Sequence, residues 1–452
     1  MSERRPKILL APMNMSGMPV TLAKALRARG YEAAHIQYTN GGPNPLRYEL
    51  DRTVNIRAEG GRIPAQIGAL RDALNEGFDI FHFWNRSLVY RTDFAGFSGI
   101  DLPLIKARGR RIAYRFTGYD VRLPTKDLAF NPHSPFRYEQ PTLYDEDLVL
   151  AYHDFLREYV DRFFVQDPEL HQFFPEATII PRALDLEAWS YVGVDPRKAR
   201  PLVVHAPTNA AAKGTRFVLA AVEALRDEGL AFDFRMLQGM PHAEARQVYR
   251  SADIVVDQLL SGATGVTTLE AWALGKCVVS NLRRDLFEPF YGMTDLPVIQ
   301  GDPETIKDAL RQAIQDGDRR LEIGRRGRAL VEARHDIAQV IDQYIDAYED
   351  MYATPPSQPT GDGDLRFIAL QMERSEAREG LIGSVWRSYM DSYHREMLRI
   401  AQKPNGPKSK LGLAFAAYCS ASPALLRRDF RFLRDRAKRL LRWRRRVRSN
   451  QS

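Results

Sequence analysis

The chain alternates between short apolar runs and amphipathic ones, and it does so in two consecutive series. Lys7-Ile8-Leu9-Leu10-Ala11 is a strand-like run followed by the loop Pro12 to Gly17. Pro19 then opens a helical pattern with Leu22, Ala23 and Leu26, stopped by Gly30, which is the expected order of a proline near a helix start and a glycine past its end. Ala34 to Tyr38 reads as the next strand, and Ile63, Ile67, Leu70 and Leu74 mark one face of a helix. Asp79 to Trp84 and Arg111 to Phe116 are aromatic and β-branched strands. Repeated strand, loop and helix units of this length require a parallel sheet covered by helices.

The pattern restarts after Pro196-Arg197-Lys198. Pro201 to His205 is a strand, and Lys213-Gly214 leads a helix carrying Phe217, Ala221, Ala224 and Leu225, closed by Gly229. Strands follow at Phe232 to Leu237, Asp253 to Asp257 and Cys277 to Ser280. Two α/β domains over residues 1–195 and 196–352 are therefore expected, with the boundary near 188–200. Residues 353–364, rich in Pro, Gly, Ser and Thr, read as a linker. Residues 365–422 are helical in character, and 423–452 form a basic tail. At 452 residues, two or three domains agree with about 150 residues each.

Composition narrows the class. Apolar residues are 44% and charged residues 27% of the chain, ordinary for a globular protein. Two cysteines, Cys277 and Cys419, make neither a disulfide framework nor a Cys-rich zinc site. The apolar patch at Ile8 to Ala11 is too short for a signal peptide, and no uninterrupted apolar run has membrane-spanning length. A cytoplasmic protein is the expectation.

Ligands of doubly wound domains bind beyond the carboxyl ends of the strands. Pro207-Thr208-Asn209-Ala210-Ala211-Ala212-Lys213-Gly214 joins a strand to a helix there. Its amides and Lys213 suit a diphosphate, although an exposed loop lysine has the same appearance. Ser261 to Glu270 follows the next strand, with Gly262 and Gly265 allowing close approach of a ligand to the backbone. Glu270, in the first turns of the following helix, either accepts from ribose hydroxyls or merely favours the helix dipole.

The run from Asp253 through Gly265, continuing as Thr268-Leu-Glu-Ala-Trp-Ala-Leu-Gly-Lys-Cys-Val-Val-Ser280, resembles the nucleotide-sugar loop and helix of family 4-like glycosyltransferases. Lys213-Gly214, Phe163 to Leu170 and Ile180 to Trp189 resemble further segments of that family, and together the likeness spans roughly residues 5–352. The resemblance implies a GT-B fold: α/β, two Rossmann-like doubly wound domains facing a cleft, here with a helical C-terminal extension. It implies a retaining transfer of a sugar from a nucleotide donor, UDP- or GDP-linked, to a glycan, lipid-linked or small-molecule acceptor. No cofactor or metal is implied, because Lys and helix N-termini offset the charge of the leaving diphosphate.

By the same resemblance the donor is held by Lys213, Thr208, Asn209, Gln238, Gly239, Gly262, Ala263, Thr264, Gly265, Val266, Thr267 and Glu270. Acceptor contacts fall on Asn14, Ser16, Gly17, Trp84, Asn85 and Arg122, and catalytic roles on Asp120 and His82. His82 on its aromatic strand also reads as a core histidine, and Asp120 and Arg122 as members of a structural ion pair. Three positions depart from the family pattern: Gly262 stands in place of a Glu, Pro207 in place of an Arg, and Thr117 in place of a His. Those departures leave open a non-catalytic GT-B protein that binds a glycan or nucleotide, or acts as a scaffold. A nucleotide-sugar epimerase shares the fold but needs a fuller acid and base set than is present.

The basic character resides at one end. Ala424 to Ser452 holds 12 Lys and Arg against 2 Asp, more than the whole chain's net +8. Leu426, Phe430, Leu433, Ala437, Leu440 and Val447 approximate one stripe, with arginines on the other faces. Each basic residue near an anionic bilayer contributes about 1 kcal/mol, so a peripheral membrane contact is one expectation. A plain solvated tail or a protein contact is another. No base-reading module accompanies the tail, so nucleic acid is not an expected partner.

Overall fold

The computed structural model describes residues 4–40, 48–59, 62–90 (backbone only at 63 and 64), 99, 101–138, 145–359, 367 and 370. The expected basic tail lies outside these residues, as does the helical extension apart from Phe367 and Leu370.

The first domain is a seven-stranded sheet of β1 (Ile8–Pro12), β2 (Ala33–Thr39), β3 (Arg52–Asn55), β4 (Ile80–Trp84), β5 (Arg111–Arg115), β6 (Arg162–Val165) and β7 (Thr178–Ile179), in the order β3-β2-β1-β4-β5-β6-β7. Every pairing is parallel: Ile8 of β1, for example, lies opposite Ala33 on one side and Ile80 on the other. All five residues of β1 and of β4 are buried, as expected of strands covered on both faces. Phe81 and Phe83 point into one layer with Phe78, Tyr114 and Phe116, while Ile80 and Trp84 point into the other with Leu22 and Leu26.

The second domain holds β8 (Leu202–His205), β9 (Asp233–Met236), β10 (Ile254–Val256), β11 (Cys277–Ser280) and β12 (Ile299–Gln300), again all parallel, in the order β12-β11-β10-β8-β9. Each sheet has one point where the winding reverses: between β1 and β4 in the first, and between β8 and β10 in the second. Loops leaving such neighbouring strands diverge to opposite faces and open a crevice at the carboxyl ends.

The chain crosses between the domains twice, and the crossings touch. Leu184 donates its amide to His335 O at 2.7 Å, and Ile337 donates to Leu184 O at 2.9 Å. Beyond the second crossing, the helix Ile337–Ala353 does not stay with the second sheet, contrary to the division at 196–352. Val340, Ile341, Tyr344, Tyr348 and Met351 join Ile8, Leu10, Leu22 and Trp84 in the first domain. An apolar stripe on this helix finds its cover there, so sequence order and domain membership part company. The following segment stays on the same side: Arg111 donates to Tyr352 O, and buried Lys106 donates to Asp161 at 2.6 Å and to Ser357 Oγ at 2.9 Å. Phe367, 1% exposed, closes the packing against Tyr152 and Phe155. Among the described residues, no helix is long and apolar enough to cross a membrane.

Candidate functional site

At the second domain's switch point, the loop after β8 delivers Lys213 and the loop after β10 delivers Asp257. Asn209 Oδ1 accepts the amides of Ala211 and Ala212, which shapes the turn ahead of Lys213. Lys213 Nζ then lies 2.5 Å from Asp257 Oδ1 and 3.4 Å from Thr267 Oγ1. The second oxygen of Asp257 accepts from Thr268 N at 3.2 Å and Thr268 Oγ1 at 2.7 Å. Burial raises the carboxyl of Asp257, but the charge and hydrogen bond of Lys213, together with Thr268, outweigh it and hold the group below the usual carboxylate range. Gly265 is required here, because a Cβ on it would stand 2.1 Å from Asp257 Oδ2. Asp257 was not singled out from the sequence. Its signal is a lone acid closing the wholly apolar strand Ile254-Val255-Val256.

Glu270, in the helix Val266–Ala273, is 4% exposed and meets His242 Nε2 at 2.7 Å. The His242 ring is clasped by Tyr48 of the first domain, 4.5 Å between centroids, and by Trp189 at 5.7 Å. Arg246 lies over Trp189 at 4.8 Å. Burial, then the nearby charge of Glu270, pushes the Tyr48 hydroxyl up to about 12, while its hydrogen bond with Ser16 acts the other way. Neither Tyr48 nor His242 carries a recognisable motif, since each matters only through contacts made across long sequence separations.

The remaining expected donor residues divide into two groups. Thr208, Asn209, Gln238 and Gly239 are exposed on the rim. Gly262, Ala263 and Thr264 are buried, with Gly265, Val266 and Thr267 opening the helix that presents Glu270. Gly262 has φ 67°, and a Cβ there would sit 2.7 Å from Arg283 Cγ, so a larger residue meets a wall. The Ala263 carbonyl accepts from Gln258. The Thr264 carbonyl accepts from Arg182 at 2.9 Å, and Arg182 also pairs with Asp167 at 3.0 Å. A cation therefore reaches this loop from position 182, whereas Pro207 is buried.

In the first domain, the loop after β1 places Asn14, Ser16 and Gly17 at the corresponding switch point. Asn14 Nδ2 donates to Glu49 O at 2.9 Å, and its Oδ1 is buried with no partner among the described residues. Asn85, at φ 65°, follows β4 and donates to Thr117 Oγ1 at 2.9 Å.

Four expected residues do not serve as proposed from the sequence. His82 is fully buried, its Nδ1 lies 2.6 Å from Tyr348 Oη, and burial and the Arg115 charge push its imidazole well below the ordinary value. It belongs to the core, packed against the rings of Tyr344 and Tyr348. Trp84, 2% exposed, lies under the Arg115 guanidinium at 4.9 Å rather than lining the cleft. Asp120, 3% exposed, accepts the amides of Thr117 and Gly118 at 3.0 and 2.7 Å, so its carboxylate folds its own loop; burial raises it to about 6. Arg122 forms a two-pronged pair with Glu169 at 2.8 and 2.7 Å. The ion pair read for this loop exists, but its acid is Glu169, not Asp120.

A separate group bridges the domains. His133 from the first, with Asp302 and Glu304 from the second, brings three ligand-type atoms within 4.8 Å of one another. Asp302 Oδ1 already accepts the amides of Glu304 and Thr305.

Residues 199–346 match the family model of glycosyl transferase-like domains. No curated protein matches the chain. Among solved structures, the chain is similar to sucrose-phosphate synthase from Thermosynechococcus elongatus, at 15% identity over 77% of this chain and 100% of that one, TM-score 0.56. It is also similar to the catalytic domain of starch synthase IV from Arabidopsis thaliana, bound to ADP and acarbose, at 12% identity over 78% and 100%, TM-score 0.52. At such identities the likeness establishes the fold: two Rossmann-like domains facing a cleft, the GT-B arrangement.

Proposed function

We propose that the protein is a glycosyltransferase that moves a sugar from a nucleoside diphosphate donor to a glycan, lipid-linked or small-molecule acceptor. The observation that carries this reading is the Lys213–Asp257–Thr268 group beside Glu270. It stands at the switch point of the domain that matches glycosyl transferase-like sequences. An ammonium has three donors. With two engaged by Asp257 and Thr267, Lys213 is held in place with one donor left for a diphosphate, and the amino end of the helix Val266–Ala273 adds its N–H groups. Leaving-group charge offset in this way needs no metal ion. Glu270 then accepts from the ribose, UDP and GDP are the expected leaving groups, and transfer retains the anomeric configuration, as in the family that the sequence resembles.

The acceptor enters at Asn14, Ser16, Gly17 and Asn85, opposite the donor. With 12 basic residues in its last 29, the chain suits a peripheral contact with an anionic membrane from the cytoplasmic side, and so a lipid-linked acceptor. Removing residues 424–452 should abolish co-sedimentation with anionic vesicles while leaving nucleotide binding intact.

Calorimetric binding of UDP, GDP, ADP and dTDP tests the donor reading. One base should bind, and Lys213→Ala and Glu270→Ala should each weaken it at least tenfold, roughly the loss of one charge-assisted hydrogen bond. A second reading, a non-catalytic GT-B protein, is favoured by one observation. The position of the usual Glu is Gly262, and Arg283 stands where a side chain there would go. Nucleotide binding without turnover of any sugar donor would decide for it.

A further inference from the structure

The Glu270 carboxylate is held by a side chain that lies outside its own loop and helix. His242 Nε2 meets Glu270 Oε1 at 2.7 Å, and no other hydrogen bond to that carboxylate is found among the described residues. One oxygen is therefore engaged and the other is available. The imidazole is itself held: Tyr48 at 4.5 Å on one side, Trp189 at 5.7 Å on another. Tyr48 comes from the opposite domain, hydrogen-bonds Ser16 and packs over Gly17, where a Cβ would lie 3.4 Å from its ring. A continuous line of contacts thus runs from the loop after β1 in one domain, through Tyr48 and His242, to Glu270 in the other.

We infer that His242 is a positioning residue for the donor: its Nε2–H fixes the Glu270 carboxylate so that the second oxygen faces the ribose hydroxyls, and Tyr48 ties that alignment to the facing domain. This rests on the donor reading above and deepens it. A carboxylate that is 4% exposed and free to rotate would have to be reoriented as the ligand binds; a pinned one is ready, and preorganisation raises affinity by removing that cost.

The test uses the full chain and two substitutions that separate the ring from its donor. His242→Phe keeps an aromatic ring between Tyr48 and Trp189 but removes the N–H, whereas His242→Gln keeps an N–H donor. Binding of the preferred ribonucleoside diphosphate and of its 2′-deoxy analogue is measured by calorimetry, with thermal melting as a check on folding. His242→Phe should weaken the ribonucleotide about tenfold, the equivalent of one hydrogen bond, and bring the ribo-to-deoxy ratio towards one. His242→Gln should stay within about threefold of wild type, roughly 0.7 kcal/mol on the tenfold scale. Tyr48→Ala should reproduce part of the loss.

Unchanged affinity in His242→Phe overturns the inference, and so does tighter binding, which would make the ring a plug over Glu270 rather than its support. If wild type binds and Glu270→Ala does not, while His242→Phe is normal, only the role of His242 falls. If neither wild type nor His242→Phe binds any nucleotide, the donor reading falls and takes this inference with it.

Discussion

Asp257→Asn probes the group on which the proposed donor site is built. The substitution conserves volume, so no cavity forms, but the amide cannot satisfy both sides. With its NH2 towards Lys213 two donors face each other at the 2.5 Å contact; with it towards Thr268, the N–H and Oγ1–H of Thr268 lose their acceptor. Breaking a buried pair by removing one partner costs about 3–5 kcal/mol. Lys213 keeps 14% of its side chain exposed and can turn part of its charge to water, so the lower end, about 3 kcal/mol, is expected. At roughly 2–4 °C per kcal/mol for a domain of this size, the second domain should melt about 6–12 °C lower.

The same pair predicts the pH dependence of that difference. The folded Asp257 carboxyl is held below its ordinary value. Its contribution is therefore present above the unfolded value of about 3.9 and is lost as pH falls through the folded one. Scanning calorimetry at neutral pH and at successively lower pH should show the full gap between wild type and Asp257→Asn near pH 7, shrinking below about pH 4. A double-mutant cycle with Lys213→Met isolates the pair and should give a coupling of at least about 1 kcal/mol. A loss under about 1 kcal/mol, or a gap that persists unchanged into acid, would refute the claim that Lys213 and Asp257 form one electrostatic unit.

Gly324→Ala should raise helix propensity by about 1 kcal/mol yet destabilise the second domain, because the new Cβ would lie 2.1 Å from the Gly275 carbonyl oxygen; a rise in Tm would sink the packing argument. Buried His205, with Nδ1 on Val256 O and Nε2 on Thr215 Oγ1, is pushed down to about 4 by burial, as are His153 and His335. Their folded values lie below the unfolded 6.5, so their contribution is complete above about pH 6.5 and is lost as pH falls towards 4. Urea titrations should show this decline, and His205→Gln should make it shallower. Phe367→Ala should cost the first domain about 3–5 kcal/mol, read as a lower melting transition, because its 1%-exposed ring packs on Tyr152 and Phe155; an unchanged transition would mean that the ring is not part of that core.

The architecture was legible because period and punctuation in this chain follow backbone geometry. Cys277 to Ser280 is a strand with the bounds that its apolar run suggests, and the helix led by Lys213-Gly214 begins at Thr215. The strand β3 passed unnoticed because its mostly exposed residues carry no apolar run, and the two-residue β7 and β12 because they lack the length over which a pattern can be read. The helix Ile337–Ala353 was assigned with its neighbours in sequence to the second domain, yet its buried face packs on the first: an amphipathic stripe states that a face is buried, not against what.

The two halves of the cleft differ in legibility for a physical reason. The proposed donor side is built largely from one continuous stretch, Asp253 to Ser280, where strand, loop and helix N-terminus bring Asp257, Gly265, Thr268 and Glu270 together by local geometry alone. The proposed acceptor side is assembled from the ends of β1, β4 and β5, brought side by side by sheet order. Polar residues near those ends split between cleft and core according to which side of the pleat they occupy. His82 and Trp84 share the face of Ile80 and are covered by Tyr344 and Tyr348, which come from a helix more than 250 residues away in the chain. No local pattern could have announced that cover. Tyr48 and His242 obey the same logic in reverse: unremarkable in their own surroundings, they meet only because the two facing domains set one ring against the other beside Glu270.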